Sequence, residues 1–224
     1  MHLYMIRHGQ SYINLKDWQG GNTDEPLTEL GQQQAAALGT WIPNEIKHID
    51  ALYASTMVRA QETAVHVANA YDNVEIINDD RIREIGNNML NHQPWPSDDL
   101  PEYGTMWGSE QPFSSITPER DLGESLMHFR VRVGSFIEGL IEKHRGETVV
   151  AVCHGGVIEV TLAHAFNIGP WGRCEVLSRN TGIAHFVYIE HPHREKWRML
   201  YHNKTEHLVN LGKPPAHVEL RRAP

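Results

Sequence analysis

Residues 3–9 read Leu-Tyr-Met-Ile-Arg-His-Gly, and residues 149–155 read Val-Val-Ala-Val-Cys-His-Gly. In both stretches an apolar run is followed almost at once by a His-Gly pair. Continuous apolar runs of this length are typical of strands that are buried on both faces, as in parallel sheets. The two stretches therefore predict two central strands that end next to His8 and His154.

The rest of the chain alternates further strands with helices. Residues 51–54 and 74–77 are short apolar runs that predict two more strands. Apolar residues at three- and four-residue spacing predict helices, which we place at about residues 29–41, 57–71, 123–146 and 157–166. We expect Ser55 or Thr56 to cap the helix that starts near residue 57.

An antiparallel hairpin is predicted near the end of the chain, because residues 183–189 and 197–201 alternate in character. Strands that alternate with helices indicate an α/β fold with a mostly parallel central sheet, helices on both faces and an antiparallel edge. If residues 183–189 lie at that edge, they can extend the sheet across the interface of a homodimer.

The length of 224 residues fits a single domain that spans residues 1–224. Residues 87–121 interrupt the pattern with several prolines and with Trp95, Trp107 and Phe113. Linkers rarely carry so many large aromatic residues, so we expect an ordered excursion at about 87–121. Its aromatic side chains either line a substrate pocket or cap one end of the domain.

Composition and charge exclude several classes of protein. The net charge of -8 argues against a nucleic-acid partner, and no apolar run approaches the length of a membrane span. Cys153 and Cys174 are too few for a disulfide framework, and the apolar N-terminal run is too short for a signal peptide. We therefore expect a cytoplasmic protein that contacts neither nucleic acid nor membrane.

Several side chains suited to phosphate follow the predicted strands. Ligands of open α/β sheets bind at the carboxyl ends of the strands, where we place Arg7, His8 and His154 together with Arg59 from a helix start. The planar guanidinium of arginine matches phosphate oxygens in pairs, and the amides at a helix N-terminus attract anions. Glu84 adds a carboxylate at the same edge, and the whole set predicts a phosphate site.

The sequence Arg7-His8-Gly9-Gln10-Ser11, followed by Asn14, resembles the signature of the histidine phosphatase (phosphoglycerate mutase-like) superfamily. Further stretches that match in the same order are Gly21, Asp24 to Thr28, Gly31, Ser55 to Thr63, Glu84, Gly123 to Ser125, and Val149 to Gly156. The ordered set covers most of the chain outside residues 87–121, and it is most similar to the broad-specificity phosphatase branch.

The resemblance implies a metal-independent phosphomonoesterase that needs no cofactor and hydrolyses a small phosphorylated metabolite. His8 would attack the phosphorus atom and carry the phosphoryl group covalently. Arg7, Arg59 and His154 would neutralise the equatorial oxygens, and Glu84 would protonate the leaving oxygen and then accept a proton from water. The further phosphate-binding candidates are Asn14, Gly20, Gly21 and Gly155.

The choice of acid has a check within the family. In the acid phosphatase and phytase branch, an aspartate directly after the second histidine supplies the proton, and Gly155 occupies that position here. The acid must therefore come from elsewhere, and Glu84 is the matching candidate.

A cofactor-dependent phosphoglycerate mutase on the same fold is the alternative function. The mutase branch carries basic and tyrosine-containing segments after the position of Glu84, whereas residues 87–121 contain a single base, Arg120, and several acids. A bisphosphate would be poorly bound there, which favours hydrolysis. A non-catalytic phosphate-binding or scaffold protein is the third alternative, and the retention of His8, Arg59 and His154 argues against it.

Structural roles compete with some of these assignments. Glu84 can instead form an ion pair with Arg81 or Arg83. Cys153 is better explained as a small buried residue than as a nucleophile. The His191-Pro-His193 segment is better explained as an exposed turn than as a metal site, since zinc-type spacing is absent. The identity of the substrate stays open, because Ile85-Gly86-Asn87-Asn88-Met89 replaces the usual family element after Glu84.

Overall fold

The computed structural model describes residues 1–15, 18, 24–86, 124–170, 176–193 and 196–211. Gly20, Gly21, Cys174 and the predicted excursion at 87–121 lie outside the described residues.

Six strands of the described chain form one mixed sheet in the order β3-β2-β4-β1-β5-β6. They are β1 (His2–Arg7), β2 (Ala51–Ala54), β3 (Ile76–Asn78), β4 (Thr148–Cys153), β5 (Ile183–Tyr188) and β6 (Trp197–Lys204). Strands β1 to β4 pair in parallel, whereas β5 is antiparallel to both β1 and β6. The predicted α/β class, with a mostly parallel sheet and antiparallel strands on one side, is confirmed.

Helices cover both faces of this sheet. They are α1 (Glu29–Glu45), α2 (Val58–Asn69), α3 (Leu126–Lys143) and α4 (Gly155–Ala165). In β1, Leu3 and Met5 pack into the hydrophobic cluster that contains residues of α3 and α4, whereas Tyr4 and Ile6 pack into the cluster with residues of α1 and α2. Both faces of β1 are buried, which explains why its sequence is continuously apolar.

The boundaries of several elements differ from their predictions. Helix α1 continues past residue 41 to Glu45, because Ile42 is fully buried on the same face as Leu38. Helix α4 begins at Gly155, two residues before the predicted start, and His154 is its N-cap residue. Strand β3 starts at Ile76 and not at residue 74.

The predicted cap of α2 is wrong. Met57 is the N-cap residue, and its side chain makes no capping hydrogen bond. Ser55 Oγ accepts from the amide of Met57 itself at 3.3 Å and lies 2.8 Å from His154 Nε2, whereas Thr56 Oγ1 donates to Asp80 Oδ1 at 2.5 Å.

The predicted antiparallel edge hairpin is confirmed, with β6 as its outer strand and β5 as its inner strand. Strand β5 pairs with β1 on one side and with β6 on the other, so its backbone groups are already used within the sheet. This segment therefore cannot extend the sheet into a second copy of the chain. Strand β6 is the outer strand on this side of the described sheet.

Candidate active site

The two predicted histidines lie side by side at one edge of the sheet. Strands β1 and β4 are parallel neighbours whose last residues, Arg7 and Cys153, are paired in register. His8 and His154 each follow by one residue, so both leave the sheet at the same point. Their ring centroids are 5.1 Å apart with an interplanar angle of 59°, and both side chains are buried.

The contacts of His8 fix which of its ring nitrogens is available. His8 Nδ1 lies 2.6 Å from the carbonyl oxygen of Gly9. A carbonyl oxygen only accepts hydrogen bonds, so Nδ1 carries the proton. His8 Nε2 accepts a hydrogen bond from Arg59 Nε at 3.2 Å and therefore holds a lone pair. This is the tautomer that a nucleophilic histidine needs.

Two buried guanidinium groups border the imidazoles. Arg59 comes from the first turn of α2, is 2% exposed, and lies with Nη1 3.7 Å from Asp24 Oδ1. Arg7 Nη1 donates to the carbonyl oxygen of Ser178 at 2.5 Å, whereas its buried Nε has no hydrogen-bond partner in the described part of the chain. Arg7 therefore keeps a donor free for an anion.

Burial and positive charge keep both histidines neutral. Burial, followed by the charges of Arg59 and Arg7, lowers the pKa of His8 well below its ordinary value. Burial is also the main cause that lowers the pKa of His154, with Arg59 next. A bound phosphate would act in the opposite direction on both groups.

Ser55 is a site residue that sequence reasoning treated only as a helix cap. Its hydroxyl group lies 2.8 Å from His154 Nε2, while the buried Nδ1 of His154 has no hydrogen-bond partner among the described residues. Ser55 follows β2, the other neighbour of β4 in the sheet, which brings the hydroxyl group to the same edge. The contact orients the ring and leaves Nδ1 available for a ligand.

The carboxylate of Glu84 is bonded to the start of helix α4, next to the second histidine. Its Oε2 accepts from the amide of Gly156 at 3.2 Å, and its Oε1 accepts from the amide of Ile85 at 3.0 Å. Because Gly156 is two residues after His154, the carboxylate lies beside the second histidine. The competing ion pairs do not form among the described residues: Arg81 binds Asp79, and the one side-chain hydrogen bond of Arg83 goes to Thr56.

A buried ion pair that sequence reasoning missed holds the segment around Glu84. Arg132 Nε and Nη2 bind the two carboxylate oxygens of Glu124 at 2.5 and 2.9 Å. The same guanidinium donates to the carbonyl oxygens of Arg81, Arg83 and Glu84 at 2.8, 2.7 and 3.1 Å. Glu124 also accepts from the amide of Gly86 at 2.6 Å. Arg132 is one of several charged residues on helix α3, so no local pattern in the sequence singled it out.

Asn14 lies next to the first histidine. Its Oδ1 accepts from the amide of Ser11 and from Asn180 Nδ2, both at 3.1 Å, which leaves the amide NH2 of Asn14 as a donor. Asn180, which the sequence did not single out, also donates to the carbonyl oxygen of His8 at 3.1 Å. A phosphate-binding role for Asn14 stays a prediction, as do the roles of Gly20 and Gly21.

The backbones of helix α1 and of the turn after β1 lie so close together that two positions must be glycine. A Cβ atom on Gly9 would lie 2.6 Å from the carbonyl oxygen of Gly31, and one on Gly31 would lie 1.9 Å from that of Gln10. Helix α1 can therefore approach the turn after β1 only because both residues are glycine. At Gly155, a Cβ atom would meet only the side chain of Arg7, with Nε at 3.8 Å and Cδ at 3.9 Å, so packing does not require glycine there. A phosphate-binding role for Gly155 stays a prediction.

Other groups weighed from the sequence have structural explanations. Burial raises the pKa of the Cys153 thiol, which is unsuited to a nucleophile. His191 and His193 are exposed, with ring centroids 6.2 Å apart. Within the described ranges, no group of three or more His, Cys, Asp or Glu side chains is arranged to hold a metal ion, and no helix has the length and apolar character of a membrane span.

Comparisons with known proteins agree with this geometry. The sequence model of the histidine phosphatase superfamily (branch 1) matches residues 3–205. A relative named "Probable phosphoglycerate mutase GpmB", from Yersinia pestis strain Pestoides F, is 26% identical over 193 residues, which are 86% of this chain and 87% of the relative.

Solved structures share the fold. A mutant of phosphoserine phosphatase from Entamoeba histolytica, in complex with phosphoserine, has a TM-score of 0.71 and 24% sequence identity. Phosphoserine phosphatase from the same organism, in complex with 3-phosphoglyceric acid, has a TM-score of 0.70 and 24% identity. Each alignment covers 93% of this chain and 99% of the other.

Proposed function

The chain belongs to the histidine phosphatase superfamily (branch 1), and on this basis we propose that it is a metal-independent phosphomonoesterase that acts through a phosphohistidine on His8. The observation that carries the proposal is the state of His8. Its Nδ1 proton is held by the Gly9 carbonyl, and its Nε2 lone pair lies beside His154 and Arg59.

In the first step, His8 Nε2 attacks the phosphorus atom while the ester P–O bond breaks. Positive charge that develops on the imidazole is stabilised by the hydrogen bond from Nδ1 to Gly9. Arg59 Nε moves from His8 to a phosphate oxygen, and Arg7 and His154 bind the others. Glu84 gives its proton to the leaving oxygen, so that the products are an alcohol and a phosphohistidine.

In the second step, a water molecule replaces the alcohol. Glu84, now a carboxylate, accepts a proton from the water as its oxygen attacks the phosphorus atom. The N–P bond breaks, inorganic phosphate leaves, and His8 and Glu84 return to their starting protonation states.

A mutase reaction is the second candidate, and the name of the relative from Yersinia pestis supports it. In that reaction the phosphoryl group on His8 passes to a second hydroxyl group rather than to water. The acids in residues 87–121 and the phosphatase name of the structural neighbour support hydrolysis instead. The ligands named for that neighbour, phosphoserine and 3-phosphoglyceric acid, support a small phosphorylated metabolite as the substrate.

The test is a panel of phosphomonoesters incubated with the protein in the presence of a chelator. Release of free phosphate in an amount equal to the substrate consumed supports the phosphatase. Isomerised phosphoglycerate with little free phosphate supports the mutase. Loss of turnover in chelator would overturn the metal-independent mechanism.

The His8 assignment has its own readout. Brief incubation with a 32P-labelled substrate should leave a base-stable, acid-labile label on the protein, and His8→Ala should abolish both label and turnover. His48→Ala, at an exposed side chain, is the matched control and should retain both. Full turnover by His8→Ala would exclude His8 as the nucleophile.

A further inference from the structure

Arg83 is a buried cation whose hydrogen-bonding capacity is mostly unused. It is 2% exposed, and its Nη1 donates to Thr56 Oγ1 at 2.8 Å. Its Nε and Nη2 are buried and have no hydrogen-bond partner in the part of the chain that the structure describes. Buried guanidinium groups are normally bonded at every donor, so the two vacant positions need an explanation.

The vacant positions form one edge of the guanidinium. In arginine the Nε–H and one Nη–H point the same way, and this edge matches the two oxygens of a carboxylate. Two neighbouring arginines use it in that manner. Arg81 binds Asp79 through Nε and Nη2 at 3.0 and 2.6 Å, and Arg132 binds Glu124 at 2.5 and 2.9 Å. On Arg83 the same edge is open.

Arg83 lies next to the candidate active site. Its partner Thr56 follows Ser55, which contacts His154, and the charge of Arg83 is one of the causes that lower the pKa of His154. The residue after Arg83 is Glu84, the proposed acid for the leaving oxygen. Arg83 therefore lies beside the group that we propose for protonation of the leaving oxygen.

The segment that carries Arg83 is held in place. Arg132 Nη1 donates to the carbonyl oxygen of Arg83 at 2.7 Å, and Ile82 is fully buried. The side chain is tied at its far end to Thr56. The guanidinium is thus fixed in orientation before any ligand arrives, which reduces the entropy cost of binding.

The surrounding charges favour a ligand with a single negative charge. Asp24 and Asp80 lie within electrostatic range of Arg83, but neither forms an ion pair with it among the described residues. Asp80 accepts from Thr56, and Asp24 lies near Arg59. These carboxylates would repel a second phosphate dianion more strongly than a carboxylate.

We propose that the Nε and Nη2 edge of Arg83 binds a carboxylate on the leaving group, so that the preferred substrates are phosphate monoesters of hydroxy acids. The inference rests on the proposed phosphatase activity and adds the substrate class to it. Arg83 then distinguishes a phosphate ester that carries a carboxylate from the matching ester that lacks it.

The test compares O-phosphoserine with O-phosphoethanolamine, which lacks only the carboxylate. A hydrogen-bonded pair of opposite charges raises affinity about 10- to 100-fold. The value of kcat/KM for phosphoserine should therefore exceed that for phosphoethanolamine by about the same factor. Arg83→Gln should reduce this ratio to about one. Arg83→Lys keeps the charge without the paired edge and should retain only part of the preference.

The matched control is Arg81→Gln, two residues earlier, whose guanidinium is bound to Asp79; it should retain the wild-type ratio. A ratio that is the same in wild type and Arg83→Gln would overturn the inference while leaving the phosphatase proposal intact. Failure of every substrate to release phosphate would instead overturn the proposed function.

Binding provides a readout that does not depend on turnover. Calorimetry on His8→Ala protein should give a lower Kd for phosphoserine than for phosphoethanolamine, by about 10- to 100-fold. Adding Arg83→Gln to this variant should abolish the difference, and thermal unfolding of each variant checks that it is folded. Equal Kd values for the two esters in His8→Ala protein would contradict a carboxylate site at Arg83.

Discussion

Arg132 binds both carboxylate oxygens of Glu124, at 2.5 and 2.9 Å, and through the same guanidinium it holds the backbone of the segment that carries Glu84. Glu124 is fully buried, and its second contact is the amide of Gly86. The position of the proposed acid therefore depends on an ion pair that contains none of the reacting groups. We expect Glu124 and Arg132 to act as positioning residues.

Substitution of Glu124 by glutamine should separate positioning from chemistry. Glu124→Gln keeps the shape but weakens the pair, so Glu84 loses its fixed position. We expect kcat for an alkyl phosphate such as glycerol 3-phosphate to fall about 10- to 100-fold, within the range that general acid catalysis contributes. Activity on 4-nitrophenyl phosphate should fall much less, because a nitrophenolate leaves without a proton.

Glu84→Gln should show the same dependence on the leaving group. Glu190→Gln, which breaks the exposed ion pair with Arg145, is the control and should leave both activities unchanged. Equal losses on the two substrates in Glu124→Gln would mean that the ion pair supports the fold in general and not the acid.

The position of the two histidines could be predicted from the sequence because it depends only on local patterns. An apolar run followed by His-Gly places a histidine at the end of a strand, and parallel strands end at one edge of a sheet. His8 and His154 therefore met as predicted, at a ring separation of 5.1 Å. The same reasoning placed Arg59 near the start of the helix after β2.

Contacts between distant side chains were not predictable in the same way. The bond between Ser55 and His154 depends on β2 and β4 being neighbours, and Glu124 reaches Arg132 only because α3 packs over the segment around Glu84. Likewise, the alternation of residues 183–189 gives a strand but not its place in the sheet. Only the pairing with both β1 and β6 shows that β5 is internal.

The pKa of His8 should respond to the guanidinium beside it. Burial is the first cause of its lowering, and the charge of Arg59 is the second, so Arg59→Gln should raise the pKa of His8 toward its ordinary value. Nitrogen NMR of labelled histidine measures this in the protein without substrate. Arg145→Gln, at an exposed side chain, should leave the His8 signal unchanged. An unaltered pKa in Arg59→Gln would show that the 3.2 Å contact is absent in solution.

Stability should fall as the pH drops below about 6.5. Burial is the main cause that lowers the pKa of His8, His154, His185 and His207, the last two to about 4. As the pH falls, these histidines bind protons in the unfolded chain but stay neutral in the folded protein. The free energy of unfolding is therefore at its full value above pH 6.5 and decreases from there toward pH 4, by up to about 1.4 kcal/mol per pH unit for each histidine.

Urea unfolding at pH 7, 6 and 5 measures this slope. His207→Gln should reduce it by the share of one histidine, and His193→Gln, at an exposed position, is the control. A free energy of unfolding that stays constant from pH 7 to pH 5 would contradict the burial of neutral histidines.

The contact between Gly31 and the turn after β1 should not tolerate a methyl group. Gly31→Ala would place a Cβ atom 1.9 Å from the carbonyl oxygen of Gln10, so α1 or the turn with His8 must move. We expect a loss of about 1–3 kcal/mol in the free energy of unfolding, together with reduced turnover. Gly169→Ala, where a Cβ atom meets nothing within 4 Å, should change neither quantity. Wild-type turnover in Gly31→Ala would show that the site does not depend on this close approach.

Two arginine-to-methionine substitutions should differ in their effect on the free energy of unfolding. Arg132→Met leaves the carboxylate of Glu124 buried without its partner, which should cost about 3–5 kcal/mol of unfolding free energy.

Arg83→Met removes a buried cation whose paired edge is open and replaces it with an apolar chain of similar length, at the loss of one hydrogen bond to Thr56. The stability of Arg83→Met should therefore equal that of the wild type or exceed it by about 1 kcal/mol, since the desolvation cost of the vacant donors disappears. Urea unfolding at pH 7 compares the two. A loss in Arg83→Met as large as that in Arg132→Met would mean that the guanidinium edge of Arg83 is bonded within the folded protein and is not free for a ligand.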